Sequence, residues 1–137
     1  MDRTAERLNA ARKALASLRA LPLREDAGDV VRDAAIQRFE YSLETIWKAA
    51  QILLREREGI DVASPKAAVR ASARTGWIGE EVARGLLEAV DDRNLTVHTY
   101  NEALAREIFA RLPRHADNLA AWLDALSRVA AGRGDDP

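Results

Sequence analysis

The sequence predicts an all-α protein, an up-and-down bundle of four to five helices, and three observations carry that prediction. Apolar residues recur at alternating three- and four-residue steps through most of the chain, the period of a helix with one buried face. No segment shows the period-two alternation of a half-buried strand. Pro22, Gly28, Gly59, Pro65, Gly76 and Gly79 fall between the periodic segments, where helices stop and start. With 137 residues, 47% of them hydrophobic, the chain is long enough for one core and too short for two comfortable ones. One helical domain is therefore expected over residues 1–131, with a small acidic, disordered tail at 132–137.

The first helix is expected from Asp2 to about Ala20, because Leu8, Ala11, Leu15 and Leu18 share one face and Arg7, Arg12, Lys13 and Arg19 lie on others. Leu21-Pro22-Leu23 interrupts it, and Arg24 to Asp29, with Gly28, forms the connection. The next helix, from about Asp29 to Arg57, carries the strongest periodicity: Ile36, Phe39, Leu43, Ile46, Ala50 and Leu53, widened by Trp47 and Leu54. Each large side chain buried on such a stripe contributes about 1.5 to 3 kcal/mol, so this is the expected core helix. Its other side holds Asp33, Gln37, Glu40, Tyr41, Glu44 and Lys48, read as a solvated face with weak i, i+4 pairs.

Gly59 stands where a C-terminal glycine ends a helix, and Ser64-Pro65 restarts one, with Ser as N-cap and Pro at the first helical position. This third helix, to about Ala73, is short and alanine-rich. Gly76 and Gly79 bracket Trp77-Ile78, with Trp77 read as a packing residue. A fourth helix follows from about Glu80, with Val82, Leu86 and Val90 on one face and Glu80 and Glu81 suiting its positive end. The last helix is expected from about Tyr100 to Ala130 on Leu104, Ile108, Leu112, Leu119, Leu123 and Leu126. Pro113 is expected to kink or briefly break it, since it has no backbone N–H to donate. His115, beside Arg114, reads as a surface histidine.

Composition narrows the function. Lys and Arg total 21 against 22 Asp and Glu, a net charge of −1, so there is no general basic surplus for nucleic acid. An RNA substrate would have to be met by a local patch or a dimer groove. The absence of cysteine excludes disulfides and thiolate metal sites. No apolar run reaches spanning length and the amino end lacks a signal-peptide core, so a soluble, cytoplasmic protein without membrane association is expected. There is no Gly-rich phosphate loop, no carboxylate pair in an obvious site and no His-x-x-x-His or Glu-x-x-His arrangement, hence no metal and no cofactor is expected.

Potentially reactive groups are dense in one stretch, Asp91-Asp92-Arg93-Asn94-Leu95-Thr96-Val97-His98-Thr99-Tyr100-Asn101-Glu102. In a continuous helix Arg93 and His98 would lie about 140° apart, on different faces. Thr96, Val97 and Thr99 are indifferent helix formers, and Thr99-x-x-Glu102 reads as a capping box, so a bend placing His98 just before the last helix is expected. By spacing alone the stretch also fits an interhelical turn of solvated polar groups. Chemically, histidine suits proton transfer near neutral pH and arginine suits holding a phosphate, the two needs of metal-free phosphodiester transfer.

The string Arg93-Asn94-x-x-x-His98-x-Tyr100 resembles the signature of the HEPN domain family. More narrowly, Asp92 to Thr96 with His98 to Glu102, Arg38-Phe39-Glu40-Tyr41 with Glu44 and Trp47-Lys48, and Ser64-Pro65-Lys66 resemble the nucleotidyltransferase substrate-binding proteins, HepT-like partners of minimal nucleotidyltransferases. The likeness runs from Met1 to about Leu126. It implies a HEPN-like helical bundle and a metal-independent RNA endonuclease toxin acting as a homodimer. In that reading His98 is the general base or acid, Arg93 the phosphate clamp and Asn94 an orienting amide. The resemblance further implies that a cognate minimal nucleotidyltransferase AMPylates Tyr100 and so neutralises the toxin, and that Tyr41 and Glu44 contact a partner. It equally accommodates a noncatalytic substrate-binding or adaptor subunit of a nucleotidyltransferase complex.

Overall fold

The computed structural model describes residues 3–132. Its helices are α1 (Arg3–Arg19), α2 (Asp29–Glu58), α3 (Pro65–Arg74), α4 (Glu80–Leu95) and α5 (Glu102–Ala130), with a 3-10 turn at Thr96–His98 between the last two. Among the described residues there is no strand, and no helix is long and apolar enough to cross a membrane. Met1, Asp2 and residues 133–137 of the tail expected at 132–137 lie outside the described residues.

The long periodic segment forms the centre. Ile36, Phe39, Leu43, Ile46, Trp47, Ala50, Leu53 and Leu54 are all buried, and α2 packs against α1, α3, α4 and α5. Its apolar stripe is wide because it faces neighbours on more than one side. Leu8, Ala11, Leu15 and Leu18 of α1 are buried against α2 and α5, as their spacing predicts. The stripe of α5 closes the core with Ile108, Leu112, Leu119, Trp122 and Leu126, all fully buried. Where α5 meets α3, the Trp122 indole N–H donates to Ser72 Oγ at 3.1 Å, satisfying two buried polar groups at once.

Helix ends follow the local chemistry. Gly59 adopts φ 67°, a left-handed conformation open to glycine at little cost, and its N–H returns to the Arg55 carbonyl. Ser64 accepts the Ala67 N–H and Pro65 opens α3. Trp77 is half-buried against the core. Gly85 sits where α4 meets α5, and a β-carbon there would run into the end of the Asn118 side chain, which would have to swing aside.

Two expectations about α5 need correction. Thr99 is not its cap: its backbone is helical (φ −74°, ψ 0°) and its hydroxyl donates to the Thr96 carbonyl at 2.9 Å, whereas an N-cap needs extended backbone. Asn101 has that geometry (φ −80°, ψ 109°) and accepts the Leu104 N–H, so α5 begins at Glu102 and not at Tyr100. Of the kink or break expected at Pro113, the break does not occur: α5 is continuous from Glu102 to Ala130. Pro113 lies on the exposed side, so the carbonyl it leaves without a donor, that of Phe109, loses its partner on the face nearest water.

Candidate functional site

The dense polar stretch occupies the junction of α4 and α5. α4 stays helical through Leu95, then tightens into the 3-10 turn at Thr96–His98 and ends in Thr99-Tyr100 before the Asn101 cap. Successive residues at the end of α4 therefore point about 100° apart, and each meets a different neighbour. Asp91 faces α3, where its carboxylate pairs with Lys66 Nζ at 2.6 Å. Asp92 faces α5. Arg93 faces α2.

The α2 side is held by two glutamates one turn apart. Glu44 Oε2 accepts from Arg93 Nη2 at 3.2 Å and from the Trp47 indole N–H at 3.0 Å. Glu40 Oε2 lies 3.0 Å from the Thr96 hydroxyl, which is also 2.7 Å from the Arg93 carbonyl. Glu40 thus holds the start of the tight turn while Glu44 holds the arginine that precedes it. Tyr41, on the same helix, is 54% exposed, and Lys48 Nζ lies 4.7 Å from the centre of the Trp47 ring. A cleft of about 350 Å³ between this face of α2 and Thr99 is lined by Asp33, Gln37 and Glu40, so its walls repel a phosphate.

On the α5 side, Asp92 is buried and accepts three hydrogen bonds: from Arg111 Nε at 2.7 Å, from Arg111 Nη2 at 2.8 Å, and from His115 Nε2 at 2.7 Å. His115 is 1% exposed and stacks on Phe39 with ring centres 5.4 Å apart. The expectation of a surface histidine is therefore wrong. Position 115 lies on the buried stripe of α5, between Leu112 and Leu119, and a carboxylate waits on the facing helix. Burial pushes the Asp92 carboxyl up, but the hydrogen bonds and positive charge of Arg111 and His115 outweigh it and hold the group below the ordinary carboxylate value. Arg111 is raised in turn, first by its hydrogen bond to Asp92.

The remaining groups face solvent. His98 Nδ1 lies 3.3 Å from Tyr100 Oη, the two rings meeting edge to face at 5.9 Å. Tyr100 is 85% exposed, Val97 73% and Leu95 39%. Asn94 is exposed and makes no side-chain hydrogen bond among the described residues. The structure thus joins His98 to Tyr100 and Arg93 to Glu44, and places both pairs at one end of the bundle, while no hydrogen bond links Arg93 to His98. Among the described residues no group of three or more His, Cys, Asp or Glu side chains is arranged to hold a metal ion.

Glu40 and Glu44, expected on a solvated face with Glu44 also a candidate for partner contact, instead hold the α4–α5 junction, and the unit of Asp92, Arg111 and His115 is not among the expected sites. A signal existed for the second group. Arg111 and His115 stand at i, i+4 spacing, and a histidine on an apolar stripe calls for a buried partner.

This is an all-α bundle of HEPN-like fold, and the string Arg93-Asn94-x-x-x-His98-x-Tyr100 lies at its α4–α5 junction. A model of the family described as nucleotidyltransferase substrate binding protein like matches residues 6–128, and the chain belongs to that family. No curated protein matches the sequence. Among solved structures, a protein from Thermus thermophilus is 54% identical, with a TM-score of 0.82 over 86% of this chain and 99% of that one. A tri-AMPylated Shewanella oneidensis HEPN toxin, solved in complex with an MNT antitoxin, is 15% identical with a TM-score of 0.75, covering 93% of this chain and 98% of that one. A Haemophilus influenzae protein described as a substrate binding domain of a nucleotidyltransferase is 24% identical with a TM-score of 0.73, covering 88% and 98%. At those two lower identities the likeness is one of fold.

Proposed function

We propose that this protein is a metal-independent RNA endonuclease toxin, neutralised when a minimal nucleotidyltransferase transfers AMP to Tyr100. The observation that carries the reading is the 3.3 Å contact between His98 Nδ1 and Tyr100 Oη on an exposed turn. When Nδ1–H donates to the tyrosine oxygen, Nε2 is left as the acceptor, the form a general base requires. His98 then takes the proton of a ribose 2′-hydroxyl as its oxygen bonds to phosphorus. The P–O5′ bond breaks, and the departing oxygen is protonated from water or from a second copy of the site across a homodimer. Arg93 holds the non-bridging oxygens as their charge grows, and Asn94 orients the phosphate. AMP on Tyr100 would put a bulky anion against His98, repelling RNA and filling the space above the ring.

A second reading, a noncatalytic adaptor of a nucleotidyltransferase complex, is favoured by the exposed apolar groups Tyr41, Leu95, Val97 and Tyr100, which suit docking. One experiment separates the two. Purified protein whose mass shows a bare Tyr100 is incubated with a mixed RNA substrate in excess EDTA. Cleavage that survives chelation supports the nuclease; intact RNA across several substrates turns the reading to the adaptor.

Glu44 bears on the same chemistry. Its carboxylate neutralises the clamp and must yield when a phosphate arrives. In Glu44→Gln the amide oxygen can still accept from Trp47 and Arg93 while the competing charge is gone. The variant is expected to lower KM for RNA several-fold with kcat little changed, in keeping with the roughly 0.2 to 1 kcal/mol of a half-exposed ion pair. Steady-state cleavage at low salt measures it, and a raised KM would mean that Glu44 serves to aim Arg93.

A further inference from the structure

The ribonuclease reading leaves open how a chain of net charge −1 holds RNA beyond the reacting phosphate. The distribution of charge along the bundle supplies an answer. α3 carries Lys66, Arg70 and Arg74 and no acidic residue, alone in this among the described α-helices. The three cations recur at i, i+4 and i+8, on the side of α3 opposite the buried Ala68, Val69, Ala71 and Ser72, and span about 12 Å along the axis. Arg70 and Arg74 are exposed and, among the described residues, have no ion-pair or hydrogen-bond partner.

The stripe is tied to the site. Lys66, in the first turn of α3, pairs with Asp91, two residues before Arg93. α3 and α4 pack together and run antiparallel, so the register set by that pair puts Arg74 level with the exposed Arg84 of α4, which also lacks a partner among the described residues. Of the acidic groups on this side, Asp91 is taken by Lys66 and Glu88 by Arg114, leaving Glu80 and Glu81, one turn before Arg84 in α4, with no ion pair to it among the described residues. α1 also carries a surplus of cations, Arg3, Arg7, Arg12, Lys13 and Arg19 against Glu6, but it packs on α2 and α5, whereas α3 packs on α4, the helix that leads into the Arg93–His98 turn.

We propose that Arg70 and Arg74 of α3, with Arg84 of α4, seat the phosphate backbone of a single-stranded RNA that runs to the Arg93–His98 turn. The inference rests on the ribonuclease reading of that turn. Guanidinium groups free of carboxylates offer paired donors to successive phosphates, and one row of them fits one strand.

The test uses the full chain and a fluorescein-labelled 2′-deoxy oligonucleotide of about twelve residues, which lacks the attacking hydroxyl, with anisotropy read between about 50 and 200 mM salt. Arg70→Gln/Arg74→Gln is expected to weaken binding roughly tenfold at the lower salt and to reduce the slope of log K against log salt by about 1.4, at about 0.7 per phosphate contact. Arg7→Gln/Lys13→Gln on α1 should match wild type, and circular dichroism should show every variant folded. Wild-type affinity and slope in the α3 variant would overturn the seat, as would a wild-type chain that fails to bind. RNA cleavage by wild type is scored separately. Binding through α3 without cleavage keeps the seat and removes the nuclease, whereas cleavage with an unchanged slope in the α3 variant removes the seat alone.

Discussion

Replacing Asp92 with alanine is expected to destabilise the protein by about 2 to 4 kcal/mol, although the substitution removes only a short side chain. The cost lies in what stays behind. His115 is 1% exposed and cannot reach water, so its Nε2 would join Nδ1, already without a hydrogen-bond partner, as an orphaned buried group. Arg111 is 42% exposed and can turn outward, which limits its share. Hence the expected order of effects is Asp92→Ala largest, His115→Ala next through lost packing on Phe39 as well, and Arg111→Ala smallest at about 1 kcal/mol. Urea denaturation of the three variants measures the order; an Arg111→Ala loss equal to that of Asp92→Ala would mean that the exposed arm of the network dominates.

The same residue gives a pH signature. The folded-state carboxyl of Asp92 is held below its ordinary value, so the native protein keeps the ionised form where the unfolded chain begins to bind a proton. The resulting stabilisation is fully present above the unfolded-state value, near pH 4, and is lost as pH falls through the lower folded-state value. Asp92→Asn lacks that contribution. Its stability should fall less steeply than that of wild type below about pH 4, starting from a lower plateau at neutral pH. This network also turns the last residues of α4, fixing Asp92 toward α5 and thereby Arg93 toward α2. Loss of stability and misplacement of the clamp should therefore appear together.

How much of this was legible in the sequence depended on the range of the interaction. The α2 stripe and the Gly59 and Ser64-Pro65 boundaries are written in periodicity and local propensity, and α2 and α3 match the expected spans within a residue at each end. The start of α5 was misjudged because two caps compete over three residues. Thr99 satisfies the capping-box pattern, yet the chain stays wound through His98 and leaves Asn101 in the extended geometry that capping needs. At the site, the Arg-Asn-x-x-x-His-x-Tyr string marked where to look. It could not reveal that Glu44, 49 residues before Arg93, would occupy the guanidinium, since pairing between helices follows their packing and leaves no local pattern.

His98 carries the second large effect: His98→Ala is expected to lower RNA cleavage by about 10² to 10⁴-fold, the usual range for loss of a general base, with stability nearly unchanged. His98 is exposed and its ring meets the neighbouring Tyr100, so no core contact is lost with the imidazole. A comparable loss of activity in Asp92→Ala would come with a lowered unfolding midpoint, which distinguishes damage to the frame from removal of the reacting group. Tyr100→Phe separates the remaining roles. It keeps the ring and removes the oxygen, so cleavage should persist within several-fold, the change coming from a weaker preference for the tautomer with Nε2 free. It also removes the acceptor of AMP, so the variant should gain no mass when incubated with ATP, magnesium and a minimal nucleotidyltransferase that modifies the wild type. Cleavage by His98→Ala at the wild-type rate would sink the assignment of the base. Cleavage by Tyr100→Phe that is still silenced by the nucleotidyltransferase would show that neutralisation proceeds by docking over the turn, with His98 covered and never chemically altered.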